Sequence, residues 1–186
     1  RRDAPRARGL SMQRLPVLDR RRAGVLLHPT ALIDPAQPGS GALGAVAREF
    51  IDWVASAGFT VWQMLPLGPT GPDGSPYWVR SDYAGNPALI DPAELPARDD
   101  AACAAFVEAE RDWLVDYARY EAASTRYAGA PWWDWPADLR DRDAAALARL
   151  DDELAAAIEH AKRQQFWFAV QWRRLREHAH SRGVRL

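Results

Sequence analysis

The sequence predicts an α/β protein that opens on a parallel sheet, and three observations predict it. Two short apolar runs, Gly24-Val25-Leu26-Leu27 and Phe59-Thr60-Val61-Trp62-Gln63-Met64-Leu65, read as buried strands. Between them lies a segment of helical period, so the three form a βαβ unit, whose strands run parallel. After a long helical stretch, Val184-Arg185-Leu186 reads as the first step of a further strand.

Residues 1–22 mix Arg, Pro and Asp without a sustained period and read as a disordered leader, with Met12 as the natural start. The first strand ends at His28-Pro29. A Pro-, Gly- and Asp-rich loop follows over 33–41. Helical spacing over 42–57 sets Leu43, Val46, Phe50, Ile51 and Val54 on one face, and Gly58 stands where a left-handed cap belongs. The second strand closes at Pro66. Residues 68–96 are irregular, yet they hold Tyr77, Trp78, Tyr83 and Leu89-Ile90, which suits a packed functional loop.

From Asp99 one helical stripe carries Phe106, Trp113, Tyr117 and Tyr120 towards Tyr127, and Gly129-Ala130-Pro131 breaks it. Residues 137–150 suit one or two short helices. Asp151 or Asp152 is expected to cap a final helix running to about Arg182, which Gly183 ends. Strand, helix, strand, large helical insertion and new strand make an opening rather than a closed fold. A (β/α)8 barrel takes about 250 residues. The expectation is the N-terminal part of a TIM barrel with a mainly helical insertion after the second strand. Its parts are residues 23–98 (first βαβ unit and loop), 99–182 (insertion and following helix) and 183–186 (start of the third strand, truncated).

Composition bounds the function. With 24 Lys+Arg against 25 Asp+Glu the net charge is -1, without the basic excess of a nucleic-acid binder. One cysteine, Cys103, excludes an internal disulfide and a Cys-rich zinc site. No run approaches the roughly 18 apolar residues of a membrane span, and residues 1–9 lack a secretory core. A cytoplasmic protein without nucleic-acid or membrane partners is expected.

In a parallel barrel, chemistry sits at the carboxyl ends of the strands. Two segments leave by that end: His28-Pro29-Thr30, and the stretch from Pro66 to Tyr83. Ser75-Pro76-Tyr77-Trp78 would stand at this mouth. A serine hydroxyl and the flat face and phenol of tyrosine suit a sugar, which has apolar ring faces and a hydroxyl rim. The plainer reading is that Tyr77 and Trp78 pin the loop. His28 has no partner for catalysis in the sequence and reads as a hydrogen-bonded structural residue. Asp73, Asp82 and Asp91 offer carboxylates, but a retaining glycosidase needs two about 5 Å apart, which sequence cannot show. Asp73 reads as a turn residue, and Gly85-Asn86-Pro87 as structural. No metal site is expected, since His178 and His180 point to different helix faces. Gly39 to Gly44 resembles a dinucleotide fingerprint only superficially, because a Pro-rich loop parts it from the strand. Of the nine tryptophans, Trp53, Trp113, Trp167 and Trp172 are assigned to the core and Trp62 to the sheet. Trp132, Trp133 and Trp135, in a loop, are left to cover a neighbour or a groove.

The run Trp62-Gln63-Met64-Leu65-Pro66-Leu67-Gly68-Pro69-Thr70-Gly71, then Ser75-Pro76-Tyr77, then Ala84-Gly85-Asn86-Pro87 with Leu89-Ile90-Asp91, closely resembles the 4-α-glucanotransferases, the amylomaltases of glycoside hydrolase family 77. Trp133-Asp134-Trp135-Pro136 and Gln165-Phe166-Trp167-Phe168 with Gln171-Trp172 support it. The resemblance implies an interrupted barrel and a cytoplasmic enzyme that moves α-1,4-glucan segments between maltodextrins. It implies retention through a glycosyl–aspartate intermediate, with a glutamate acid/base on later strands outside this chain. The fragment alone is then inactive, and no cofactor is implied. By position, Ser75 and Tyr77 match residues lining the glucan groove. Three departures stand out: Ala31 after His-Pro-Thr, Ala42 in place of an acid, and Trp78 after Tyr77. The competing readings are a non-catalytic glucan-binding fragment and an α-amylase-type hydrolase.

Overall fold

The structure is a computed structural model that describes residues 20–32 and 42–186. The expected leader, almost entirely, and the Pro-rich loop over 33–41 lie outside the described residues.

Strands β1 (Gly24–Leu26) and β2 (Val61–Gln63) pair in parallel, with Gly24 opposite Val61 and Leu26 opposite Gln63. Helix α1 (Ala45–Ser56) joins them. It ends where expected, since Gly58 takes φ 79, a backbone that costs other residues more. The chain returns to the sheet at its far end. Trp62 donates its N–H to the Arg185 carbonyl at 2.8 Å, and Arg185 donates to Thr60 at 2.9 Å, a parallel bridge on the free edge of β2.

The sheet is covered on one face. Trp62 is fully buried and packs with Ile51 and Val54 of α1 and with Leu175 and Ala179. Alternation sends Gly24, Leu26 and Gln63 the other way, and all three are exposed. Leu26 is 58% exposed, which corrects the expectation of a buried strand. Nothing among the described residues covers that face.

The helical half holds α2 (Asp100–Ala109), α3 (Arg111–Arg126), α4 (Ala137–Arg140), α5 (Ala144–Glu153) and α6 (Ala155–Ser181). Two predicted helices are in fact broken. The stripe from Asp99 divides at Glu110, which ends α2 and caps α3 while its carboxylate accepts the Trp113 indole N–H at 2.7 Å. The final helix starts after Leu154, not at Asp151 or Asp152, both of which lie inside α5. Asp151 takes a two-pronged bond from Arg119 at 2.7 and 2.6 Å; α5 is capped by Asp143 instead. One more assignment fails: Trp53 is 53% exposed and stacks on Phe50, because its position on α1 turns away from the sheet.

Helix α6 is the spine. Its buried line runs through Ile158, Ala161, Phe166, Leu175 and Ala179 and serves α3, α5 and α1 in turn. Its far end is tied to α1, where Asp52 takes bonds from His178 at 2.9 Å and Arg182 at 2.8 Å. Cys103 is buried on α2, and burial pushes its thiol upward in pKa. It is therefore expected to resist iodoacetamide in the folded protein and react fully after denaturation, which mass spectrometry reads directly.

Candidate functional site

Parallel strands aim their carboxyl ends the same way, and the two segments that leave there meet. His28 follows β1, and its Nε2 lies 3.4 Å from the carbonyl of Pro66, which follows β2. The other ring nitrogen faces the Thr30 hydroxyl at 2.7 Å and accepts from the Thr30 N–H. The ring is thus engaged on both sides, as a structural histidine is. The Trp62 indole adds a bond to the Leu27 carbonyl at 2.8 Å. Together these fix the rim from which the loop starts.

The loop closes on itself. Arg80 donates its N–H to Pro69 at 2.8 Å, Thr70 bridges Val79 in antiparallel sense, and Asn86 donates to Leu67 at 2.8 Å. Residues 71–78 therefore form the tip of a pinned excursion. Inside the tip, the Asp73 carboxylate accepts the Ser75 N–H at 3.2 Å, and the Ser75 hydroxyl accepts the Tyr77 N–H at 3.3 Å. Asp73 is the turn residue the sequence suggests. Asn86 likewise caps a short 3-10 turn through Ala88. Asp82 is exposed, while Asp91 is buried against Gly44 at the start of α1.

What holds the loop is not Tyr77 or Trp78. They are 71% and 74% exposed, so the pinning reading of these two rings fails. The anchors are two glutamines of α6, Gln165 and Gln171, which the sequence offers as part of the resemblance but without a role. Gln165 accepts the Gly85 N–H at 2.8 Å and donates to the Gly85 carbonyl at 2.9 Å. Gln171 does the same for Asp91, at 2.9 and 2.8 Å. Each amide satisfies both backbone groups of one loop residue where water cannot reach. The signal was present, since two glutamines stand on an otherwise apolar helix stripe, but which backbone they serve cannot be read from spacing. Leu89, fully buried, seats the apolar anchor between them.

Charge ties the loop's return limb to its neighbours. Tyr83 stacks on Trp113 at 6.1 Å, and Arg80 reaches Glu121 of α3. Glu121 Oε1 is buried and lies 3.2 Å from Arg80 Nη1, yet outside hydrogen-bond alignment. Burial accordingly raises the Glu121 pKa, with Arg80 opposing. Glu94 differs. Arg48 of α1 grips it at 2.7 and 2.6 Å and holds its carboxyl below the ordinary range. A lowered carboxylate stabilises the fold above its unfolded pKa, and that stability fades as pH falls through the folded value. Arg48→Ala is expected to cost about 1–2 kcal/mol at neutral pH and less in acid. Urea unfolding at several pH values checks both the size and the sign.

The described residues contain no group of three or more His, Cys, Asp or Glu able to hold a metal. No described helix is long and apolar enough to cross a membrane.

These features define an α/β protein whose parallel strands present an anchored, aromatic-tipped loop at their carboxyl ends, where ligands of such folds sit. Comparison with known proteins names the family. The sequence model described as 4-alpha-glucanotransferase matches residues 27–102 and 94–186, and the chain belongs to that family. It is 36% identical over 208 residues to a 4-alpha-glucanotransferase of Thermus thermophilus, covering 89% of this chain and 41% of the relative. It is 32% identical over 215 residues to the chloroplastic/amyloplastic 4-alpha-glucanotransferase of Solanum tuberosum, covering 89% and 37%. Among solved structures, an amylomaltase from Streptococcus agalactiae in complex with acarbose superposes with a TM-score of 0.79 at 25% identity, over 88% of this chain and 42% of that one. The chain thus spans about two fifths of these relatives. The two matched stretches meet at residues 94–102, the link into α2.

Proposed function

We propose that this chain forms the opening of a 4-α-glucanotransferase barrel, and that the whole protein moves α-1,4-glucan segments between maltodextrins. In this reading residues 23–98 supply the first βαβ unit and the loop at its mouth, 99–182 the helical insertion and the spine helix, and 183–186 the start of the third strand. The observation that carries it is the pairing of an exposed Tyr77 with a rigidly held loop base, in a chain of this family. A solvated ring on a fixed support gains free energy when an apolar sugar face covers it, and little ordering is lost. The Ser75 hydroxyl, already turned by the Tyr77 N–H, keeps its proton free to donate to a sugar oxygen.

The catalytic carboxylates of the double displacement would come from later strands. None of Asp73, Asp82 or Asp91 is offered for that role: one serves a turn, one is exposed, and one is buried at α1. Covalent catalysis would divide the transfer into glycosylation and release to an acceptor sugar rather than to water.

Incubation with maltotriose, followed by chromatography, tests this. The full-length protein should yield longer maltooligosaccharides and glucose, and residues 1–186 alone should yield neither. Net hydrolysis to short sugars without lengthening would favour a hydrolase and overturn the transferase reading.

A further inference from the structure

A cavity of about 370 Å³ opens in the helical half among α3, residues 131–136, α4 and α5, with no residue of the loop in its lining. It falls in the size range of small-molecule sites, which begins at roughly 300 Å³. One wall is aromatic. Trp135 stacks on Tyr120 at 5.6 Å, packs beside Tyr127 at 5.4 Å, and donates its indole N–H to the Ala130 carbonyl at 3.0 Å. It is locked in place. Beside it Trp132 also lines the cavity and is 49% exposed, edge-on to Trp133, which is 59% exposed. Leu139, Leu147 and Leu150 add to the cavity's apolar lining.

The rim selects the ligand's charge. Asp116 receives Arg142 at 2.7 Å and Arg119 at 3.3 Å, and Arg119 is also held by Asp151. Each charge at the rim already has its counter-charge. An ionic ligand would have to break a pair, whereas a neutral one can use the remaining donors and lone pairs. Arg142 stands at φ 61, a left-handed backbone usually left to glycine, and its bond to Asp116 places a guanidinium at the edge. A fixed aromatic wall, an exposed aromatic lip and a neutralised polar rim fit a neutral ring with an apolar face and a hydroxyl edge.

We propose that this cavity is a second contact site for α-glucan chains, separate from the loop at the strand ends and serving to hold polymer. It rests on the glucan reading above. The test uses the full-length protein in native gels containing amylopectin, with maltotriose transfer measured alongside. The parent should be retarded by the polysaccharide. Trp132→Ala should raise the apparent dissociation constant about tenfold, while transfer on maltotriose, which reads the loop site, stays within twofold. Arg142→Gly suits the local backbone and keeps the fold. It should weaken retardation about threefold. Retardation unchanged in both variants, with maltotriose transfer intact, overturns this site alone. A parent protein that neither rearranges maltotriose nor is retarded overturns the transferase reading and this site together.

Discussion

Tyr77→Ala is expected to lower kcat/KM for maltooligosaccharide transfer by the full-length protein roughly 30- to 150-fold, without changing its melting temperature. The size follows from the area at stake. A tyrosine face covered by a sugar removes apolar surface worth about 2–3 kcal/mol, and each 1.36 kcal/mol is tenfold. The unchanged stability follows from the 71% exposure of the ring, which supports nothing in the fold. Tyr77→Phe keeps the face and loses the hydroxyl, so about fivefold is expected, the worth of one neutral hydrogen bond. If Tyr77→Ala leaves transfer within twofold, the tip does not grip substrate.

Gly85→Ala is expected to destabilise the fold by about 3 kcal/mol, although it adds one methyl. A Cβ on Gly85 would overlap the Phe168 ring of α6. The loop would have to retreat, and the two bonds from Gln165 would stretch or break, leaving buried groups unpaired. Chemical unfolding measures the loss. The three atoms nearest to the added methyl all belong to Phe168, so Phe168→Leu in the Gly85→Ala background should recover at least half of the loss. A cost under 0.5 kcal/mol, or no recovery in the double variant, would show that the close approach is not what fixes the loop. Gln171→Leu offers a milder comparison at Asp91, where the backbone pair is lost without a clash.

The parts legible in the sequence were those governed by local period and by turn chemistry. The α1 stripe from Val46 to Val54, the stop at Gly58, the strand around Trp62 and the Asx turns at Asp73 and Asn86 each follow from a few neighbouring residues. What escaped was set by contacts across the chain. Glu110 and Leu154 break helices whose apolar period runs on without interruption, so no local signal marks them. Trp53 looked like core because an aromatic on a helix usually is, but the sheet lies on the opposite side of α1. Leu26 looked buried because it sits in an unbroken apolar run, but no described residue covers its face of the sheet. The loop anchors were invisible for the same kind of reason: Gln165 meets Gly85, and Gln171 meets Asp91, each across eighty positions of sequence. Tyr77 and Trp78 could be picked out as candidates from the sequence, but only their exposure separated a free surface from a packed one.

Hydroxyl-radical footprinting of the full-length protein, with and without saturating maltoheptaose, puts the most direct question to this molecule. Oxidation of Tyr77 should slow several-fold when the sugar is present, while Trp53, also solvated at 53% but on the outer side of α1, should be oxidised at an unchanged rate. Equal oxidation of Tyr77 in both samples, with protection appearing elsewhere on the bound protein, would contradict the placement of the glucan against this loop.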